Sequence, residues 1–241
     1  MHPSIHAQSQ GDKPAVIMAG SGQTVSYAAL DRRSNQIAQY LRQQGIGIGD
    51  TVALCLENRA EYFDIVWGAQ RAGLIFVAIS NRLTADEIGY ILQDSGAKLL
   101  FTSDYLTPHL EGIRNACPAT PIVSLDDAAT LAAIDAMPDT PIADERAGSD
   151  MLYSSGTTGR PKGVRLPLPE DGNIAASNTL VALAQGAFGF GPDSVYLSPA
   201  PLYHAAPLRW CMTVHKLGGT VIAMEKFDPE AALALIEKYK V

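Results

Sequence analysis

Apolar residues along most of this chain alternate between short unbroken runs and longer stretches with one apolar side. That is the pattern of strands buried on both faces and separated by helices. It is clearest between residues 51 and 115, where strands are predicted at 52–56, 74–79 and 98–102 and helices at 60–72, 85–94 and about 105–115. Thr84 and Glu87 make a capping box at one helix start, and Gly96 lies just past that helix. The helix bearing Tyr62, Phe63, Val66 and Trp67 is apolar on several sides, and the cluster reads as core. The fold class predicted is α/β, with parallel sheets flanked by helices.

The flanks are less regular. A hairpin is predicted from the apolar run 14–18, the turn Gly20-Ser21-Gly22 and the short strand at Thr24-Val25. Ser26 caps a helix through Gln44, with Leu30, Ile37, Ala38 and Leu41 as its apolar stripe and Gly45 as its end. The Gly45-Ile46-Gly47-Ile48-Gly49-Asp50 run follows a helix and lacks dinucleotide spacing, so it reads as a C-cap and turn. Residues 117–150 are rich in Pro, Asp and Ala and read as a surface connection, with an apolar piece at Ile122-Val123 and a helix near 128–136. Further on, a helix is expected at 173–188, a strand at 194–197, a Pro-punctuated loop at 199–207, a helix at 208–217 and a strand at 220–224. Asp228 as N-cap and Pro229 at the first helical position open a last helix to about residue 240.

Composition narrows the function classes. At 241 residues and 47% hydrophobic content the chain can bury a sizeable core. Its net charge of -7 argues against nucleic acid as the main partner. Cys55, Cys117 and Cys211 are far apart with no metal spacing and read as free thiols in a reducing compartment. The polar start, with His2 and His6, resembles no signal peptide and reads as a flexible terminus, and no apolar run is long enough for a membrane span. A soluble cytoplasmic protein is expected.

The chemistry concentrates in Tyr153-Ser154-Ser155-Gly156-Thr157-Thr158-Gly159-Arg160-Pro161-Lys162-Gly163-Val164, behind an apolar strand at 151–153. Glycines let successive backbone N–H groups turn toward one point, hydroxyls add donors, and Lys162 adds a compact positive charge, which together describe a phosphate cradle. An ordinary Gly/Ser/Thr loop is the bland alternative. A Walker loop is disfavoured, because Pro161 precedes Lys162 and Gly163 follows it.

From Ser154 to Gly163 the segment resembles the signature loop of the adenylate-forming enzymes: acyl- and aryl-CoA synthetases, peptide-synthetase adenylation domains and luciferases. Ser26-Tyr27-Ala28-Ala29-Leu30-Asp31, Gly49-Asp50-Thr51-Val52-Ala53, Asn81-Arg82-Leu83-Thr84 and Asp94-Ser95-Gly96-Ala97-Lys98 are similar to other segments of that family, so the resemblance covers nearly the whole chain. Pro201-Leu202-Tyr203-His204 is similar to its second core motif, where an aromatic or histidine side chain lies between nucleotide and carboxylate pocket. The resemblance implies that Ser154, Ser155, Gly156, Thr157, Thr158, Gly159 and Lys162 bind the phosphates of ATP, and that Lys162 and His204 serve catalysis. It implies a carboxylic acid, ATP and CoA as substrates, with formation of an acyl-adenylate and release of pyrophosphate before thioester formation.

The same resemblance makes residues 1–241 the amino-terminal part of the AMP-binding domain. The family's adenine, ribose and magnesium contacts, including the Mg2+ ligand, and its mobile carboxy-terminal domain are expected beyond Val241. A polypeptide cut there is expected to be inactive and, with unpaired edges and uncovered apolar faces, to self-associate as a homodimer that buries the face the downstream half would cover. Arg165-Leu166-Pro167-Leu168-Pro169 departs from the polar segment the family commonly has after the loop, which puts the path out of the cradle in question. Two other readings stay open: a phosphoryl-transfer enzyme with a convergent loop, and a non-catalytic nucleotide-binding module.

Overall fold

A computed structural model of the protein describes residues 2–154 and 161–241. Loop residues Ser155, Gly156, Thr157, Thr158, Gly159 and Arg160 lie outside the described residues, as does the side chain of Ser154. The chain divides into two compact units.

The first unit comprises Met1–Arg33, Asn58–Asp64 and Ile174–Val241. Its four-stranded sheet has β1 (Pro14–Met18), β2 (Thr24–Ser26), β9 (Val195–Ser198) and β10 (Thr220–Ala223) in the order β2-β1-β10-β9. Strands β1, β10 and β9 are parallel, and the predicted β1–β2 hairpin supplies the antiparallel edge. Around this sheet are α1 (Ser4–Gln10), the start of α2 (Tyr27–Gln43), α7 (Thr179–Phe188), α8 (Ala205–Leu217) and α9 (Pro229–Tyr239). The Ser26 hydroxyl accepts from Ala29 N, as expected of a cap, and Asp228 accepts from Ala231 N with Pro229 at the first helical position.

The second unit comprises Ser34–Glu57 and Ile65–Asn173. Its six-stranded sheet runs β6-β5-β3-β4-β7-β8 through β3 (Thr51–Leu54), β4 (Ile75–Ala78), β5 (Ala97–Thr102), β6 (Ile122–Ser124), β7 (Ser149–Ser154) and β8 (Lys162–Arg165). All neighbours are parallel except β7 and β8. The central strand β3 is buried throughout, which is why it reads as a continuous apolar run. Its helices are α4 (Ala85–Ser95), α5 (Leu110–Ala116) and α6 (Ala128–Asp135), and α3 (Glu61–Arg71) has its first turn in the other unit. The Thr84–Glu87 capping box forms with both of its bonds, and Gly96 takes the left-handed conformation at φ 64. Tyr62, Phe63, Val66 and Trp67 are fully buried, as core residues should be.

Four local readings need correction. The predicted helix at 105–115 is a 3-10 segment, Asp104–His109, followed by α5, because Pro108 has no N–H to continue an α-helical ladder. The helix expected from 173 begins only at Thr179, where the extended Asn178 caps it by accepting from Val181 N at 2.9 Å. Helix α8 starts at Ala205, so Pro207 lies in its first turn, where no backbone donor is required. The amino terminus is folded as α1: His2 is buried, and His6 Nε2 donates to the Lys216 carbonyl at 2.9 Å. All three cysteines are free and buried, and burial pushes the Cys55 and Cys211 thiols up to about 12, so both stay protonated and inert. Among the described residues, no helix is long and apolar enough to cross a membrane.

Candidate functional site

Both motifs singled out in the sequence follow the carboxyl end of a parallel strand, where open α/β sheets place their ligands. In the second unit the glycine-rich segment leaves β7 and returns as β8, a strand not foreseen from Lys162-Gly163-Val164-Arg165 because it has no apolar alternation. The register pairs Met151 with Arg165, Leu152 with Val164, Tyr153 with Gly163 and Ser154 with Lys162. The backbones on either side of the glycine-rich segment are thus paired at Ser154 and Lys162.

Three contacts fix this hairpin. The Tyr153 phenol donates to Asp94 Oδ2 at 2.6 Å, and burial, followed by the Asp94 carboxylate, pushes the phenol above its ordinary range. Gly163 lies directly under that ring: a Cβ there would stand 2.8 Å from Tyr153 Cζ and 2.3 Å from Met151 Cε. Arg165 Nη2 donates to the Gly49 carbonyl at 2.9 Å. Side chains alternate across a strand, so Gly163 and Arg165 share one face and Lys162 and Val164 the other. Lys162 is exposed and Val164 is 56% exposed. Arg165 thus ties the hairpin to the turn before β3. The path out of the glycine-rich segment is held too, because Arg146 Nη2 donates to the Pro169 carbonyl at 3.0 Å and Leu168 packs on the apolar cluster of this unit.

His204 belongs to the first unit. It occupies the N-cap position of α8 without a side-chain capping bond, which leaves its imidazole available. The ring lies 4.5 Å from that of Tyr203 at a tilt of 54°, and the residue is exposed. Its backbone is bound on both sides: His204 N donates to Pro201 O at 3.2 Å, and Leu208 N donates to His204 O at 3.3 Å.

One residue here escaped sequence reasoning. The nearly buried Asn58 donates through Nδ2 to the Ala200 and Met224 carbonyls at 3.1 and 2.8 Å, while its Oδ1 accepts from Leu202 N at 2.8 Å. Those partners are more than 140 positions away. No local pattern could have announced them. Among the described residues no group of three or more His, Cys, Asp or Glu side chains is placed to hold a metal ion.

Comparison with known proteins extends these observations. The family model described as AMP-binding enzyme matches residues 4–241. A fatty acid–[acyl-carrier-protein] ligase from Streptomyces coeruleorubidus is 36% identical over 97% of this chain and 44% of its own length. A feruloyl-CoA synthase from Amycolatopsis sp is 34% identical over 94% of this chain and 44% of its own. Among solved structures, the inhibitor-bound N-terminal domain of FACL13 from Mycobacterium tuberculosis superposes with a TM-score of 0.82 at 26% identity. That match covers 99% of this chain and 60% of the other. The chain spans less than half the length of the curated relatives it matches.

Proposed function

The chain belongs to the AMP-binding enzyme family, and we propose that it supplies the phosphate-binding loop and part of the acyl site of an enzyme that activates a carboxylic acid with ATP. A carboxylate oxygen attacks the α-phosphorus, the bond from that phosphorus to the bridging oxygen breaks, and pyrophosphate leaves with the electron pair. The acyl-adenylate then passes its acyl group to a thiol, releasing AMP. The observation that carries this reading is the Ser154–Lys162 pairing, which brackets the glycine-rich segment at the carboxyl end of β7 and leaves Lys162 exposed beside it.

The residues divide the work as the chemistry requires. A carboxylate is ionised at neutral pH, so its attack needs no general base. It needs alignment and stabilisation of the charge that grows on the leaving group. Lys162 and the amides of Ser155, Gly156, Thr157, Thr158 and Gly159 take that second task, with Ser154 at the edge of the cradle. His204 lines the carboxylate side. No magnesium ligand is proposed among the described residues.

The test is product analysis on the protein at its full natural length. Release of AMP and pyrophosphate that depends on a carboxylic acid supports the reading, whereas ADP as product assigns the loop to phosphoryl transfer, and no turnover with any acid leaves a binding module. CoA is the proposed acceptor, with a fatty or other acyl acid as donor. The acyl-carrier-protein ligase among the relatives favours a second reading, in which a carrier protein supplies the thiol. Running the thioester step with CoA and with a phosphopantetheinylated carrier protein separates the two.

A further inference from the structure

We infer that Asn58 is a positioning residue for the acyl side of the site, holding the His204 loop against the ends of two strands; this rests on the reading of His204 just proposed. The side-chain amide ties three backbone segments at once: Ala200 after β9, Met224 after β10, and Leu202 inside the loop. Strands β9 and β10 are parallel and end together, with Met224 N donating to Ser198 O at 3.0 Å. Loops beyond such ends carry ligand contacts, and they have no ladder partners of their own to keep them in place.

Asn58 supplies what the ladder does not. Pro199 and Pro201 have no N–H to offer, so the loop is poor in donors where it leaves β9. Leu202 N is the first loop donor beyond Pro201, and Asn58 Oδ1 receives it. The same amide's two donors satisfy the carbonyls of Ala200 and Met224, so a single planar group sets the spacing between strand ends and loop. With Leu202 N tethered and its side chain fully buried, the turn to His204 starts from a fixed point, and α8 fixes its far side. No acid or amine of similar size replaces this group: Asp offers no donor and a lysine no acceptor.

The experiment uses the full-length protein. Asn58→Asp keeps the acceptor for Leu202 N but sets a carboxylate against two carbonyls, and displacement of His204 is expected to raise the KM for the acid or lower kcat by about tenfold or more. The KM for ATP is expected to stay within about twofold, and Asn58→Asp in a His204→Ala background to cost no more than about twofold further, because the two act through one group. A purely structural role would instead lower the active fraction, leave both KM values unchanged and add to His204→Ala, and that result would overturn the inference. A second measurement needs neither the variant nor turnover. In the wild-type protein the Leu202 amide is expected to exchange with solvent about 100-fold more slowly than that of Tyr203, at rates like those of β9. Equal exchange at the two positions overturns the tether. If the wild-type protein turns over no acid, the functional reading fails while the exchange data still decide whether Asn58 fixes the loop.

Discussion

The Tyr153 phenol and the Asp94 carboxylate, 2.6 Å apart, join the strand that enters the glycine-rich segment to the last turn of α4. Asp94 heads the Asp94-Ser95-Gly96-Ala97-Lys98 segment, which sequence resemblance singled out without a role for it. Asp94 is exposed, so the bond is worth less than a buried charged pair. Tyr153→Phe is expected to cost about 1 kcal/mol, a fall of roughly 2–4 °C in Tm for a chain of this size. Asp94→Asn should bring the phenol's titration to lower pH, although still above the usual value, because burial is the larger cause of the rise. Ultraviolet titration of the tyrosines checks this, and an unmoved phenol would remove Asp94 from the account.

Gly163→Ala tests the same hairpin from its other strand. The added methyl overlaps Met151 Cε and the Tyr153 ring. A methionine tip can swing aside, whereas the ring is held by Asp94, so the strand bearing Lys162 must shift. Overpacking of this kind costs about 1–3 kcal/mol. The cost is expected to shrink in a Tyr153→Leu background, and a double-mutant cycle by thermal melting reads that coupling directly. Independent, additive losses would mean that the ring does not set the spacing.

The unequal legibility of the chain has a physical pattern. Features whose partners are near in sequence could be read: the Thr84–Glu87 box, the Asp228 cap with Pro229, the β1–β2 hairpin and the alternation that gives the parallel sheet. The glycine-rich segment stands out in the sequence because its residues are compressed into one stretch, and most of it lies outside the described residues. Features whose partners are distant could not be read. Helix α1 looked like a loose polar end because the carbonyl that receives His6 belongs to Lys216. Strand β8 is stabilised by pairing with β7 and by Arg165 reaching Gly49, not by any alternation of its own. Asn58 is the extreme case, since an asparagine before a helix reads as a turn residue until Ala200, Leu202 and Met224 are seen around it.

His215 gives a pH-dependent prediction. It is fully buried, its Nε2 donates to the Ala15 carbonyl at 3.1 Å, and the rings of Phe63 and Tyr27 meet it edge to face. Burial first, with a smaller contribution from His6, pushes its pKa down to about 3. The unfolded chain's imidazole titrates near 6.5. A group depressed on folding contributes stability that is complete above the unfolded value and is lost as pH falls toward the folded one. Between pH 6.5 and about 3 the native state therefore loses up to about 1.4 kcal/mol per pH unit through this group. The stability gap between wild type and His215→Gln should narrow as pH falls through that window. Imidazole signals in NMR should show His215 still neutral at pH 5, and titration near 6.5 would contradict its burial.

Lys162 and His204 should fail in different ways in the full-length enzyme. In the proposed reaction negative charge grows on pyrophosphate as its bond to the α-phosphorus breaks, so an ammonium at Lys162 would stabilise the transition state more than bound ATP. One charge-assisted hydrogen bond contributes roughly 1.5–3 kcal/mol, and Lys162→Ala is therefore expected to slow adenylation by about tenfold to a hundredfold. The KM for the acid should change little, because the role proposed for Lys162 is on the leaving group. Lys162→Gln, which keeps a donor but no charge, should recover only part of the loss. With His204 in its proposed place on the acyl side, His204→Ala should change the KM for the acid and the ranking of several acids while the KM for ATP holds. Acid-dependent pyrophosphate release, measured across both substrate concentrations, separates the two patterns. An unchanged rate in Lys162→Ala would make that side chain an ordinary surface cation, and unaltered kinetics across acids in His204→Ala would take the imidazole out of the site.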